Sequence, residues 1–223
     1  MSDALLLVGS PKPGKSASHT IADALGTRLA ARGWETQTQR VKPTFSDATR
    51  MGELLGAVAD SDLIVLAFPI YVDSLPAPVL RLLENWRDAL ADGSLEPRSS
   101  QRLAVLTQCG FPEAKQCDVA VEVCRLFAEE IGIGWAGALA FGMGSSIEGG
   151  SIKQSPLARR LPEFDAAADA LASGQAIPEA ATAGFARPLA PAWGYPLLGG
   201  LMWGRQARRN GCTEPLTLRR YAQ

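Results

Sequence analysis

Residues 4–18 read Ala4-Leu5-Leu6-Leu7-Val8-Gly9-Ser10-Pro11-Lys12-Pro13-Gly14-Lys15-Ser16-Ala17-Ser18. The opening run is continuously apolar and stops at a glycine, the pattern of a central parallel strand buried on both faces. A helix is expected next. Ile21, Leu25 and Leu29 recur every four residues as an apolar stripe, and Gly33 offers a left-handed stop. The loop between them therefore ends at a helix N-terminus, where free N–H groups and the positive end of the dipole favour an anion.

The same unit repeats along the chain. Residues 34–41 alternate Trp34, Thr36 and Thr38 with Glu35, Gln37 and Gln39, which reads as an edge strand, and a short helix follows over 50–59. Residues 62–68 are again a buried strand and run into Pro69-Ile70-Tyr71-Val72-Asp73-Ser74. Pro76 and Pro78 suit a helix start, and Val79, Leu83, Trp86 and Leu90 give its buried face. Residues 102–107 form the next strand, broken at Gln108-Cys109-Gly110-Phe111-Pro112-Glu113. Cys117, Ala120, Cys124, Phe127 and Ile131 make a helical stripe. A last strand over 134–141 and the turn Gly142-Met143-Gly144 lead to a final amphipathic helix carrying Leu157, Leu161, Phe164, Ala168 and Leu171.

Strict alternation of strands and helices implies a doubly wound α/β domain: a five-stranded parallel sheet in order 2-1-3-4-5 with helices on both faces. Ligands of such sheets bind beyond the carboxyl ends of the strands at the topological switch point, so the loops after the first, third and fourth strands share one crevice. Composition shifts to Ala, Pro and Gly near Gln175. Residues 1–174 are thus expected to form the domain and residues 175–223 an extension that packs on it or on a partner subunit.

Apolar residues make up 47% of the 223 and charged residues 20%, with a net charge of −1, which excludes collagen-like and disordered classes. No uniform field favours nucleic acid. Four cysteines without a C-x-x-C pair, and an N-terminus that runs straight into a strand, point to a reducing cytoplasm. The apolar run 193–203 is too short to span a bilayer.

Residues 9–16 match G-x-x-x-x-G-K-S, the signature of a nucleoside triphosphatase. That mechanism needs an acidic residue at a neighbouring strand end for magnesium, and the strands here lead into Pro69, Gln108 and Gly142. Pro11 and Pro13 also remove two N–H donors from the loop. A monophosphate suits it better, held by the helix start and by the Ser10, Ser16 and Ser18 hydroxyls with Lys12 or Lys15. A plain helix cap, for which serine is an ordinary residue, is the structural alternative for this loop.

The sequence resembles the flavodoxin-like NAD(P)H-dependent FMN reductase family and its multimeric-flavodoxin relatives. The likeness rests on Gly9-Ser10-Pro11-Lys12, on the stretch from Phe68 through Tyr71 to Leu80, on Cys109-Gly110-Phe111-Pro112-Glu113, and weakly on the tail 203–211. It implies FMN as cofactor and NAD(P)H as reductant. Phosphate contacts fall to Ser10, Lys12, Ser16, Ala17 and Ser18. Pro69, Ile70, Tyr71, Val72 and Asp73 lie along the isoalloxazine. Thr107, Gln108, Cys109, Gly110, Phe111 and Glu113 flank its other side. The implied acceptor is a quinone, a flavin, a metal complex or a protein; a flavodoxin-type electron carrier is the alternative. Iron–sulfur relatives add a compact cysteine cluster that this sequence lacks. No catalytic side chain and no metal ligand are expected, because the flavin carries the chemistry.

Several residues keep two readings. Cys109 is either a packing residue or a redox thiol at the ring, and Cys117 and Cys124 read as core. His19 reads as a helix-start residue rather than a base. Tyr71 either stacks on a ring or packs in its loop, and Asp73 is equally a turn former. The tail 193–203 with Arg205, Arg208 and Arg209 must bury its apolar residues, on its own domain or as a homo-oligomer interface ahead of a flavin lid; membrane contact is not expected.

Overall fold

A computed structural model describes residues 2–96, 98, 100–147, 150–191 and 194–212. The five strands are β1 (Asp3–Val8), β2 (Glu35–Arg40), β3 (Leu63–Pro69), β4 (Arg102–Gln108) and β5 (Gly134–Phe141). They pair in parallel in the order β2-β1-β3-β4-β5, as the alternation of strands and helices requires. The helices are α1 (Ala17–Ala30), α2 (Ala48–Ala59), α3 (Ala77–Ala91), α4 (Asp118–Glu130), α5 (Leu161–Ala172), α6 (Glu179–Phe185) and α7 (Gly194–Arg209). None of them is long and apolar enough to cross a membrane.

Side chains alternate across the sheet and so build two cores. Ala4, Leu6 and Val8 of β1 pack with α1, α5 and α6, while Leu5 and Leu7 pack with α2, α3 and α4. β2 lies at the edge with its first four residues exposed. It is shorter than the 34–41 expected. Trp34 instead turns its indole to α5, donating to the Ala172 carbonyl at 3.2 Å, and Val41 opens a 3-10 turn carrying Pro43. Two ion pairs, Arg28–Asp165 at 2.5 Å and Arg32–Asp169 at 2.6 Å, tie α1 to α5.

The first compact unit runs to Leu189 and the second covers 190–223. The composition shift at Gln175 therefore falls inside the domain. Ile177 donates its N–H to the Ala136 carbonyl of β5, and Ala181 and Phe185 are buried, with Phe185 against Phe141 and Phe164. In the second unit, α7 carries Leu197, Leu201, Met202 and Trp203 ahead of Arg205, Arg208 and Arg209. Trp193 and residues 213–223 lie outside the described residues.

Candidate functional site

The strand order reverses beside β1, and there the loops leaving β1, β3 and β4 close on a cleft of about 210 Å³. The first loop supplies Ser10, Lys12, Ser16 and Ala17. It leaves the sheet under steric constraint, since a Cβ on Gly9 would lie 2.3 Å from Cγ2 of Val79. Ser16 is the N-cap of α1: its Oγ accepts from the His19 N–H at 3.2 Å, which leaves its own hydroxyl proton available to donate. Cap and anion site are therefore compatible at this residue. The amides of Ala17 and Ser18 fall in the first helical turn, which has no intrahelical acceptor for them. The Ser18 Oγ is buried without a partner in the structure, behind the lining rather than on it.

Arg40, at the end of β2, donates to the carbonyls of Lys12 and Gly14 and so brings a guanidinium to the back of the first loop. Nothing in the sequence near the loop announces it; the parallel register Val8↔Arg40 makes it a neighbour. The strands flanking β1 thus end in Arg40 and Pro69. Neither ligates magnesium, so at these strand ends the triphosphate match at 9–16 finds no acidic partner among the described residues.

The second loop lines the cleft with Pro69, Ile70 and Tyr71. Tyr71 and Ser74 exchange N–H···O bonds at 2.9 and 3.1 Å around a tight turn whose central residues, Val72 and Asp73, have φ of 50° and 58°. Positive φ at both positions defines a type I′ turn, costly for a β-branched residue. Val72 is 99% exposed, and neither it nor Asp73 lines the cleft. Tyr71 is 44% exposed, an aromatic face open to solvent.

The third loop contributes Gln108, Cys109 and Gly110. It is joined to the second by the Ile70 N–H donating to the Gln108 carbonyl at 2.9 Å. Thr107 is fully buried below the floor, Phe111 is largely exposed, and Glu113 is half-buried away from the lining. A fourth segment, not expected from sequence, completes the cleft: Gly144 and Ser145, after β5. It is stitched to the third loop by Met143 N–H to the Phe111 carbonyl at 2.7 Å and Gly144 N–H to the Cys109 carbonyl at 2.9 Å. A Cβ on Gly142 would fall 2.1 Å from the Pro112 carbonyl oxygen, and one on Gly144 1.6 Å from Oε1 of Gln108. The pair of glycines at 142 and 144, followed by Ser145, was the available signal.

Cys124 is core, as its stripe implied, and burial pushes its thiol up to about 12. Cys117 is core as well, fully buried, and its thiol meets that of Cys109 in a hydrogen bond. That bond draws the Cys109 thiol below its ordinary range against the opposing effect of burial. The same bond, reinforced by burial, pushes Cys117 up. His19 sits on α1 with Nε2 3.1 Å from Asp23.

The cleft has two chemically distinct ends. One is the start of α1, with hydroxyls, amides and Lys12, and no acidic side chain among the described lining residues. The other is formed by Pro69, Ile70, Tyr71, Cys109 and Gly110, whose side chains are largely apolar.

No protein-family model matches the chain, and no curated protein matches it. Solved structures do. An NADH:FMN oxidoreductase in its apo form superposes with a TM-score of 0.59 at 14% identity, over 86% of this chain and 97% of that one. A flavodoxin of Streptococcus pneumonia TIGR4 gives 0.51 at 17% identity, over 77% and 99%. The fold is flavodoxin-like. An FMN-dependent NADH-azoreductase from Bacillus anthracis str. Ames Ancestor, in complex with FMN, shares this flavodoxin-like fold with a TM-score of 0.56 at 13% identity, over 77% of this chain and all (100%) of that one.

Proposed function

We propose that this chain binds FMN in the cleft and works as an NAD(P)H-dependent oxidoreductase that passes electrons to a quinone, a flavin or a metal acceptor. One observation carries the reading: the loops after β1, β3 and β4 meet in a single cleft with a phosphate-like end at α1 and a ring-like end at Tyr71 and Gly110. The solved structures of similar fold described as FMN-dependent enzymes support it. FMN, when bound, supplies reversible two-electron chemistry.

The protein's part is to hold and orient. Ser10, Ser16 and the amides of Ala17 and Ser18 receive the phosphate, with Lys12 adding charge. Ser18, its Oγ buried behind this lining, contributes through its amide rather than its hydroxyl. Pro69, Ile70 and Tyr71 form one wall along the ring. Gln108, Cys109 and Gly110 form the other, Gly110 because a side chain there would narrow the approach. Val72, Asp73, Phe111 and Glu113 are left to the region where a nicotinamide or an acceptor approaches, and Thr107 to the floor. The site of action is the cytoplasm.

A visible spectrum of the protein reconstituted with FMN, followed by anaerobic addition of NADH and of NADPH, tests the reading. Expected are a shifted flavin spectrum and bleaching by at least one nicotinamide. Bound flavin that stays oxidised with both makes the chain an electron carrier instead. Failure to take up FMN sinks both readings. Binding of magnesium ATP that is lost in Lys15→Ala would restore the triphosphatase.

A further inference from the structure

Cys109 and Cys117 meet at the wall of the cleft, eight residues apart in sequence. Cys109 lines the cleft directly; Cys117, the last residue of the 3-10 turn Ala114–Cys117, is fully buried with its thiol against that of Cys109. Cys109 Sγ lies 3.4 Å from the Phe111 and Glu113 carbonyl oxygens, ordinary acceptors for the weak donor that a thiol is. Thr107 Oγ1 lies next to Cys117 and has no partner at ordinary hydrogen-bond distance. The hydrogen bond between the two thiols places the charge, when the pair ionises, on the member that faces the cleft, with a protonated thiol behind it. A cleft-facing nucleophilic sulfur backed by a second thiol is the arrangement of an attacking and a resolving cysteine.

We propose that Cys109 and Cys117 form a two-electron thiol–disulfide couple that a hydroperoxide oxidises from the cleft. The Cys109 sulfur attacks the terminal peroxide oxygen and the O–O bond breaks. The Cys109 proton leaves on the departing oxygen as water or an alcohol, and Cys109 becomes a sulfenic acid. The Cys117 sulfur then attacks the Cys109 sulfur, the S–O bond breaks, and its oxygen leaves as water with the Cys117 proton. One S–S bond has formed, and the two electrons reside on the reduced peroxide oxygens. An external dithiol reverses the reaction by exchange. The couple uses residues of this chain alone and stands whether or not the cleft takes FMN.

The test uses the full chain carrying Cys212→Ser, first without and then with FMN, treated with stoichiometric hydrogen peroxide. Of the four cysteines, three thiols then remain before treatment. Expected afterwards are one thiol under denaturing conditions, an intact mass lower by two hydrogens, and a dithiothreitol-sensitive link between the peptides holding Cys109 and Cys117. In Cys117→Ser the reaction stops at a sulfenic acid on Cys109 that dimedone traps. Cys117→Ala serves the same purpose if the serine variant does not fold, and the thiol count of the parent needs neither. Survival of all three thiols, or oxidation at Cys124 in place of Cys109, overturns the proposal.

Discussion

A Cβ at Gly144 would stand 1.6 Å from Oε1 of Gln108, whose own carbonyl holds the Ile70 N–H. Gly144→Ala must push Gln108 toward the ring side of the cleft, an overpacking cost of about 1–3 kcal/mol. We expect FMN affinity to fall roughly tenfold with the fold retained, read by quenching of flavin fluorescence. Cys124 carries a different consequence. Its folded thiol is raised to about 12 from an ordinary 9.0 by burial. Below the ordinary value the thiol is protonated in folded and unfolded chains alike, and pH does not act through it. Between the two values only the unfolded chain releases the proton, so stability falls by about 1.4 kcal/mol per pH unit as pH rises. Cys117, also raised, adds in the same direction. Urea midpoints across this alkaline window should drop steeply for the parent, and less steeply by about one proton for Cys124→Ala. An unchanged slope in the variant counts against the assignment.

At the scale of elements, α1 serves the sheet and the cleft together. Its buried stripe of Ile21, Leu25 and Leu29 was legible from spacing, and its left-handed stop at Gly33 has φ 86°. Its N-cap was legible as a choice between cap and ligand donor, and the geometry allows both because a hydroxyl accepts and donates at once. Ser16→Ala should cost about 1 kcal/mol of stability through the lost cap. It should also weaken FMN about tenfold while leaving riboflavin, which lacks the phosphate, nearly unaffected. Parallel titrations of the two flavins with this variant check the division, and equal losses for both would place the phosphate elsewhere. The second loop shows the limit of local reading. Val72 has a sequence suited to an extended wall, yet Tyr71 and Ser74 pair across it and force it into a left-handed turn in solvent.

For the whole molecule, the boundary at Leu189 makes a sharp contrast between two truncations. A chain ending at 189 keeps Ile177, Ala181 and Phe185 in their core and should melt as a cooperative domain that still takes up FMN. A chain ending at 174 uncovers Phe141, Phe164 and β5. Loss of a buried aromatic alone costs about 3–5 kcal/mol. The shorter chain should therefore lose its cooperative transition by circular dichroism, whereas equal melting of the two would refute the boundary.

By itself the sequence determined the parallel sheet, its doubly wound helices and the convergence of three loops, because apolar runs and helical stripes report burial within each element. Through its likeness to a known family it also singled out ten of the residues that line the cleft, from Ser10 to Gly110, in the loops after β1, β3 and β4. Tertiary structure alone decided that Gly144 and Ser145 complete the cleft, that Arg40 braces the first loop, that the buried Cys117 meets Cys109, and that the domain runs past Gln175. Each of these depends on strand register and on packing between segments distant in sequence. No periodicity within a single segment carries that information.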